Sequence, residues 1–275
     1  MKLKPVLLSV LISVMLVSCG DLLETGLDAF DQMRYSAENL AFYYPFDGNT
    51  NDAGGNDYDG LIGSEPGGGV FYTFTTDRFG NSGAVISNID DTSYVDSTWG
   101  LDFNLSNAFS VNLWVFYPNF VVEPSLRYIF GISELYPPVG TRFFLSKNDD
   151  DGELRFVMNS TGLSSDEDSL TFDSLWSDFQ DANWHMITIV HKEGTGVDKL
   201  SLYVDGIKRS PDSTRNGFSA AQLDGSIYLL AARTLFNTTA IGNTEYTAID
   251  DFRFYTRSID ELEIDALYHK NGFDL

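Results

Sequence analysis

Between Asn183 and Gly206 the chain reads NWHMITIVHKEGTGVDKLSLYVDG, a pattern with few structural solutions. In the second half, Leu200, Leu202 and Val204 alternate with Ser201, Tyr203 and Asp205, the period of two that gives a strand one core-facing side. In the first half, Met186, Ile187, Ile189 and Val190 make both sides apolar, as expected of a strand covered on both faces. The Gly-bearing stretch from Lys192 to Lys199 joins the two strands, and Asp205-Gly206 is a turn pair that reverses the chain before Ile207. A buried β-hairpin is therefore predicted at the centre of the fold.

The rest of the chain agrees with an all-β reading. Of 275 residues, 43% are hydrophobic and 14% aromatic, enough for a large core in one domain. Short apolar runs are broken by Asp, Asn, Gly and Ser every ten residues or so, and no longer repeat is visible. A formal charge of -23 argues against nucleic-acid binding, which needs Lys and Arg to displace phosphate counterions. Polyanionic partners are disfavoured too, unless a cation bridges. The acid serves either as a solubility shell or as calcium ligands gathered in particular loops.

Residues 1–18 carry Lys2 and Lys4 and then the apolar run Val6 to Val17, the layout of an export signal too short to span a bilayer. Leu16-Val17-Ser18-Cys19 resembles the bacterial lipobox, which makes Cys19 the expected acylated first residue of the mature protein. Cys19 is the only cysteine, so no internal disulfide is possible. Cleavage removes two positive charges, taking -23 to -25, so lipid rather than charge is expected to hold the protein at the membrane. Residues 19–38, with Leu22, Leu23, Leu27, Phe30 and Met33 near helical spacing, form either a short amphipathic helix or a tether. Gly20 after the cysteine gives no retention signal of the Asp type. An outer-membrane position facing the cell surface is expected.

Leu40 to Gly60, LAFYYPFDGNTNDAGGNDYDG, places Asp47, Asn49, Asn51 and Asp52 close together, hard oxygen donors that suit Ca²⁺. An ordinary polar turn rich in Asx residues is the competing reading. The residue at the sixth position from Asp47 is Asp52 and at the twelfth Tyr58, which excludes an EF-hand. Asn107 to Pro118, NAFSVNLWVFYP, is a strand whose Trp114 is a core residue. Tyr128 to Ser133, Phe143 to Ser146 and Leu154 to Met158 read as further strands, with a turn at Asp149 to Gly152. Ser160 to Asp181 is an acidic, Ser-rich excursion read as a long loop, in which Trp176 is a candidate sugar-stacking residue or a cover for the sheet edge. Ser210 to Leu223 reads as a polar loop and Ile227 to Ala232 as a strand. Ile249 to Tyr255 closes the chain's last strand. Ser258 with Glu261 reads as a capping box, ahead of a short helix with Ile259, Leu262 and Ala266 on one face.

The Trp-His strand, the Leu-x-Leu-Tyr-Val-Asp-Gly strand, the Phe-Asp-Gly-Asn loop, Phe79 to Val85, the Phe-Ser-Val-x-Leu-Trp-Val strand and the Ile-Asp-Asp-Phe-Arg-Phe-Tyr-x-Arg run together resemble laminin G-like domains of the concanavalin A-like superfamily. The resemblance covers roughly Leu40 to Gly272. It implies a jelly-roll β-sandwich of two antiparallel sheets with a short C-terminal helical turn, here over residues 39–275. In such relatives an Asp of the closing strand meets the Asp of the opening loop at a shared Ca²⁺ site. Carried to matching positions, that makes Asp47 and Asp250 the expected ligands, with Asp52 or backbone carbonyls completing the shell.

Catalysis is not expected. A glycosidase needs two carboxylates flanking the scissile bond, and no strand displays them. Glu261, Glu263 and Asp265 lie in a helical segment, where alternate residues do not share a face. The histidines, His185, His191 and His269, have neither a cysteine partner nor paired spacing, so a zinc or serine-triad site is not expected. The expected function is therefore binding of a glycan or of a surface or matrix protein. The alternative is a structural or protein-interaction subunit of a cell-surface assembly with no sugar affinity.

Overall fold

A computed structural model describes residues 38–64, 73–86, 93–104, 107–116, 126–133, 142–148, 153–159, 167–172, 175–179, 181–194, 199–211, 213–215, 222–229 and 248–269. The expected signal peptide, Cys19, the tether through residue 37 and the turn at Asp149 to Gly152 lie outside these residues.

The strands in chain order are β1 (Leu40–Tyr44), β2 (Leu61–Ser64), β3 (Thr73–Thr76), β4 (Ser82–Ile86), β5 (Ser93–Asn104), β6 (Phe109–Phe116), β7 (Leu126–Ser133) and β8 (Arg142–Asn148). They continue with β9 (Glu153–Asn159), β10 (Glu167–Phe172), β11 (Trp184–His191), β12 (Leu200–Val204), β13 (Ile207–Arg209), β14 (Ser213–Arg215), β15 (Gln222–Leu229) and β16 (Ala248–Tyr255). A 3-10 turn spans Trp176–Phe179, and a helix, α1, spans Glu261–His269. One sheet of eight strands runs β13-β12-β11-β6-β16-β4-β3, with β1 also paired to β16. The other, also of eight, runs β14-β10-β9-β8-β7-β15-β5-β2. Every pairing is antiparallel. The two antiparallel sheets and, among the described residues, one short C-terminal helix are the architecture the resemblance implies.

The expected central hairpin is β11 and β12, with Ile187 opposite Val204 and Ile189 opposite Leu202. Asp205 at φ 51° and Gly206 at φ 75° both occupy the left-handed region, as a two-residue hairpin turn of the primed type requires. β11 sits between β12 and β6 and is buried from Met186 through His191, which explains its apolar character on both faces.

β16 organises the first sheet. β6 pairs along one side of it, while β4 pairs with Ala248 and Ile249 and β1 with Phe252 to Tyr255, so the chain's opening and closing strands lie side by side. On one face, Phe42, Phe252, Phe254 and Phe109 stack, with ring centroids 5.3 Å apart for Phe42–Phe254 and 6.1 Å for Phe109–Phe254. On the other, Leu40, Tyr43, Trp114, Met186, Val190, Tyr203 and Tyr255 are covered by Ile259 and by Ile264 and Leu267 of α1. Each such side chain removed from water contributes about 1.5–3 kcal/mol. Trp114 is a core residue as expected, packed against Tyr268 of α1 at 5.8 Å.

Three expectations are corrected. The capping box is Asp260 with Glu263, not Ser258 with Glu261: Asp260 Oδ1 accepts from Glu263 N–H and Glu263 Oε2 from Asp260 N–H, each at 2.9 Å. Leu262 is 81% exposed, and the buried face of α1 is Ile264 and Leu267. The helix therefore begins two residues later than expected, which rotates its apolar stripe. The excursion from Ser160 to Asp181 contains β10, fully paired with β9, and the 3-10 turn. Its Ser and Asp content hid a strand whose backbone partners, rather than its side-chain pattern, hold it in the sheet. The stretch read as a loop from Ser210 to Leu223 likewise contains β14, paired with β10.

Candidate functional site

The slip in register between Asp250 and Arg253 on β16 is a β-bulge opposite β6, with Asp251 at φ 51°. The extra residue brings two consecutive carboxylates to Arg78, in the turn between β3 and β4. Arg78 Nη1 donates to Asp250 Oδ2 at 2.7 Å and Nη2 to Asp251 Oδ2. Asp251 Oδ1 also accepts from Tyr43 O–H and from Arg253 Nη2, the latter at 2.9 Å. Arg78 lies over Trp114 at 4.6 Å and over Phe79 at 4.3 Å, and Arg253 over Tyr43 at 4.1 Å. Two guanidiniums thus meet two carboxyl groups in a clasp that joins β1, the β3–β4 turn and β16.

The two acids differ. Asp250 is pushed up by burial and by its neighbour Asp251, with Arg78 only partly opposing. Burial also pushes Asp251 up, but the Arg253 and Arg78 guanidiniums and the Tyr43 hydroxyl outweigh it and hold it well below the usual carboxylate range. Asp251, with three donors against one for Asp250, carries the charge. Burial drives the Tyr43 phenol far above its ordinary value, so it donates and does not ionise. This is a structural clasp rather than a site open to a sugar.

The opening loop folds around Asp52. Its Oδ1 accepts the N–H groups of Tyr43 and Gly54 at 2.9 and 2.8 Å, and its Oδ2 those of Asn56 and Tyr58 at 3.3 Å each. Asp59 Oδ1 accepts the N–H of Asp52 itself at 2.8 Å, closing the knot. The three expected metal ligands are accordingly not gathered into one shell: Asp250 faces Arg78 and Asp52 faces backbone amides. Asp47 is differently placed. A Cβ built on Gly83 would lie 2.9 Å from Asp47 Oδ1 and 3.7 Å from Asp77 Oδ2, so both carboxylates lie against the same glycine. Asp77 Oδ1 holds its own turn through the N–H groups of Phe79 at 2.9 Å and Asn81 at 2.6 Å. Two hard oxygen donors suit Ca²⁺ chemically. No group of three or more His, Cys, Asp and Glu side chains suited to a metal ion occurs among the described residues, so carbonyls and water would have to complete the shell. Sequence reasoning missed Asp77, whose only signal was an Asp one residue before Arg78-Phe79-Gly80.

Trp176 opens the 3-10 turn ahead of β11. Phe179, at the other end of that turn, is buried and meets the His185 ring edge-on at 5.2 Å. His185 Nδ1 lies 2.8 Å from Asp205 Oδ2, and Nε2 lies 2.9 Å from Asp181 Oδ1.

A family model described as the concanavalin A-like lectin/glucanases superfamily matches residues 90–265. Among solved structures, the chain is similar to the receptor binding domain of botulinum neurotoxin D, at 15% identity and a TM-score of 0.60, covering 84% of this chain and 52% of that one. It is similar to the botulinum neurotoxin type G receptor binding domain, at 17% identity and 0.59, covering 84% and 51%. A third, the serotype D ligand binding domain in complex with N-acetylneuraminic acid, shows 14% identity and 0.57, covering 84% and 51%. At such identities the likeness is one of fold, and the chain spans about half the length of these structures. No curated protein matches. Since the family match runs over more than half of its length and agrees with the paired antiparallel sheets, the chain belongs to the concanavalin A-like lectin/glucanases superfamily.

Proposed function

We propose that this chain is a lipid-anchored surface protein, held through Cys19, whose sandwich binds carbohydrate and leaves it chemically unchanged. The observation that carries the reading is the fold shared with domains described as receptor- or ligand-binding, one of them solved with a sugar bound. Fold alone does not determine activity. One fact of this chain supports binding over hydrolysis. Asp250 and Asp251, the buried acidic residues of the described part, are both committed to Arg78. The strongly negative chain favours neutral glycans over sulfated or sialylated ones. Trp176 is the proposed stacking residue, and Asp47 with Asp77 the proposed hold for a structural Ca²⁺.

A glycan array probed with the full chain tests this. Retention on a defined set of neutral glycans, weakened by Trp176→Ala, is expected. A blank array together with a protein partner recovered by cross-linking at the cell surface would replace it with the protein-interaction reading. That second reading is itself favoured by neighbours described as receptor-binding.

A further inference from the structure

The geometry around His185 points to a second property. The ring joins two chain segments: Asp205 belongs to the turn between β12 and β13, and Asp181 to the stretch that leads from the 3-10 turn into β11. Both nitrogens have a carboxylate oxygen within 2.9 Å. A neutral imidazole carries one N–H, so it can satisfy one of these carboxylates and must turn a lone pair toward the other; only the imidazolium donates to both. We infer that Asp181, His185 and Asp205 form a protonation-dependent latch that ties the segment carrying the 3-10 turn to the β12–β13 hairpin.

The surroundings are those of a built device. Asp205 is fixed independently, since its Oδ1 accepts the Met186 N–H at 2.9 Å and its backbone N–H donates to the Met186 carbonyl at 2.9 Å. Asp181 is positioned by Asn183, whose backbone and side-chain N–H groups reach it at 2.8 and 2.7 Å. Ala182 between them sits at φ 59°, a left-handed conformation that an alanine adopts only when its surroundings impose it. The charged groups facing the ring are Asp181 and Asp205; beside them Asp178 of the 3-10 turn pairs with Arg209 of β13 at 3.8 Å, a second and weaker tie between the same two segments. The hydrogen bond to Asp205, and after it that to Asp181, raises the imidazole above its ordinary value against the opposing effect of burial.

The sign follows. A raised folded value means that the latch is closed below about pH 6.5 and loosens as pH rises through the folded value. Asp205, held by Met186, keeps the remaining N–H, and Asp181 is the contact released. If Trp176 serves sugar as proposed, affinity follows the same titration, but the latch is tested with no sugar present.

The test is hydrogen exchange of the full chain at pH 5.5 and 8.5, corrected for intrinsic rates, read over residues 181–185 together with an NMR titration of His185. The expected result is a His185 midpoint above the ordinary imidazole value and faster exchange in 181–185 at the higher pH. Asp181→Asn, at an exposed position, should lower the midpoint and flatten that difference, and His185→Gln should remove it. A midpoint at or below the ordinary value, or a pH difference that survives in both variants, would overturn the latch.

Discussion

Replacing Arg78 by Met should cost about 3–5 kcal/mol of folding stability. The side chain is 8% exposed and makes two ion pairs, to Asp250 at 2.7 Å and to Asp251. At an effective dielectric of about 20, the contact with the charged Asp251 amounts to ~4 kcal/mol of Coulomb attraction, most of which offsets the desolvation of the charges themselves. What the substitution exposes is the charged Asp251 carboxylate, left buried beside Asp250 with only Arg253 and Tyr43 to answer it, and breaking such a pair costs ~3–5 kcal/mol. Met fills a similar volume beneath Phe79 and above Trp114, so the loss reports charge rather than a cavity. Against a total of about 5–15 kcal/mol, the urea midpoint should fall by roughly 1–2 M. Arg78→Lys should recover only part, because a point charge cannot meet both carboxylates as the planar fork does. The two acids should then separate. Asp250, raised, keeps its proton where an unfolded carboxylate has lost it, so its contribution to stability falls as pH rises from about 4; Asp251, lowered, contributes stability present above about 4 and lost as pH falls toward 2. Asp250→Asn should therefore cost about 1 kcal/mol or less at pH 7, and Asp251→Asn ~3–5 kcal/mol. Urea unfolding followed by tryptophan fluorescence measures all four. A loss below about 1 kcal/mol for Arg78→Met, or equal losses for the two Asn variants, would refute the reasoning.

Trp114→Ala should cost about 3–5 kcal/mol through the cavity left beneath Tyr268 and Arg78, read by the same unfolding curves. Ca²⁺ held at Asp47 and Asp77 should stabilise the fold by about 2.7 kcal/mol at 100 times its dissociation constant, with Asp47→Ala abolishing the gain; a thermal midpoint unmoved by EDTA and by Ca²⁺ would remove the metal. Cys19→Ser should abolish fatty-acid labelling and partition into detergent, and a variant that still labels as the parent does would exclude the anchor.

The first sheet was legible in the sequence because its strands announce themselves locally. β6, β11, β12 and β16 carry β-branched and aromatic residues at strand spacing, and Asp205-Gly206 marks its own turn. β10 and β14 were not legible, since short strands rich in Ser, Thr and Asp owe their conformation to backbone partners distant in sequence. The helix was foreseen but its cap and start were misplaced by two residues, because Ser258-x-x-Glu261 and Asp260-x-x-Glu263 satisfy the same local rule and the pairing of Glu263 with Arg257 at 2.5 and 2.8 Å favours the second. The acidic residues show the limit most clearly. Asp47, Asp52 and Asp250 look alike as oxygen donors in a string of letters. The fold gives Asp52 to backbone amides and Asp250 to Arg78, and sets Asp47 beside Asp77, whose part no local pattern revealed.

Saturation-transfer NMR on the full chain, with neutral oligosaccharides followed in the same tube over several days, tests binding and inertness together. Weak binding is expected, because sugar stacking and hydrogen bonds each contribute only about 1 kcal/mol net, which puts dissociation constants on the order of 10 µM to 1 mM. The account predicts transfer to the protons of a defined sugar and an anomeric spectrum that does not change. No transfer to any sugar, or the growth of new reducing-end signals, would contradict it.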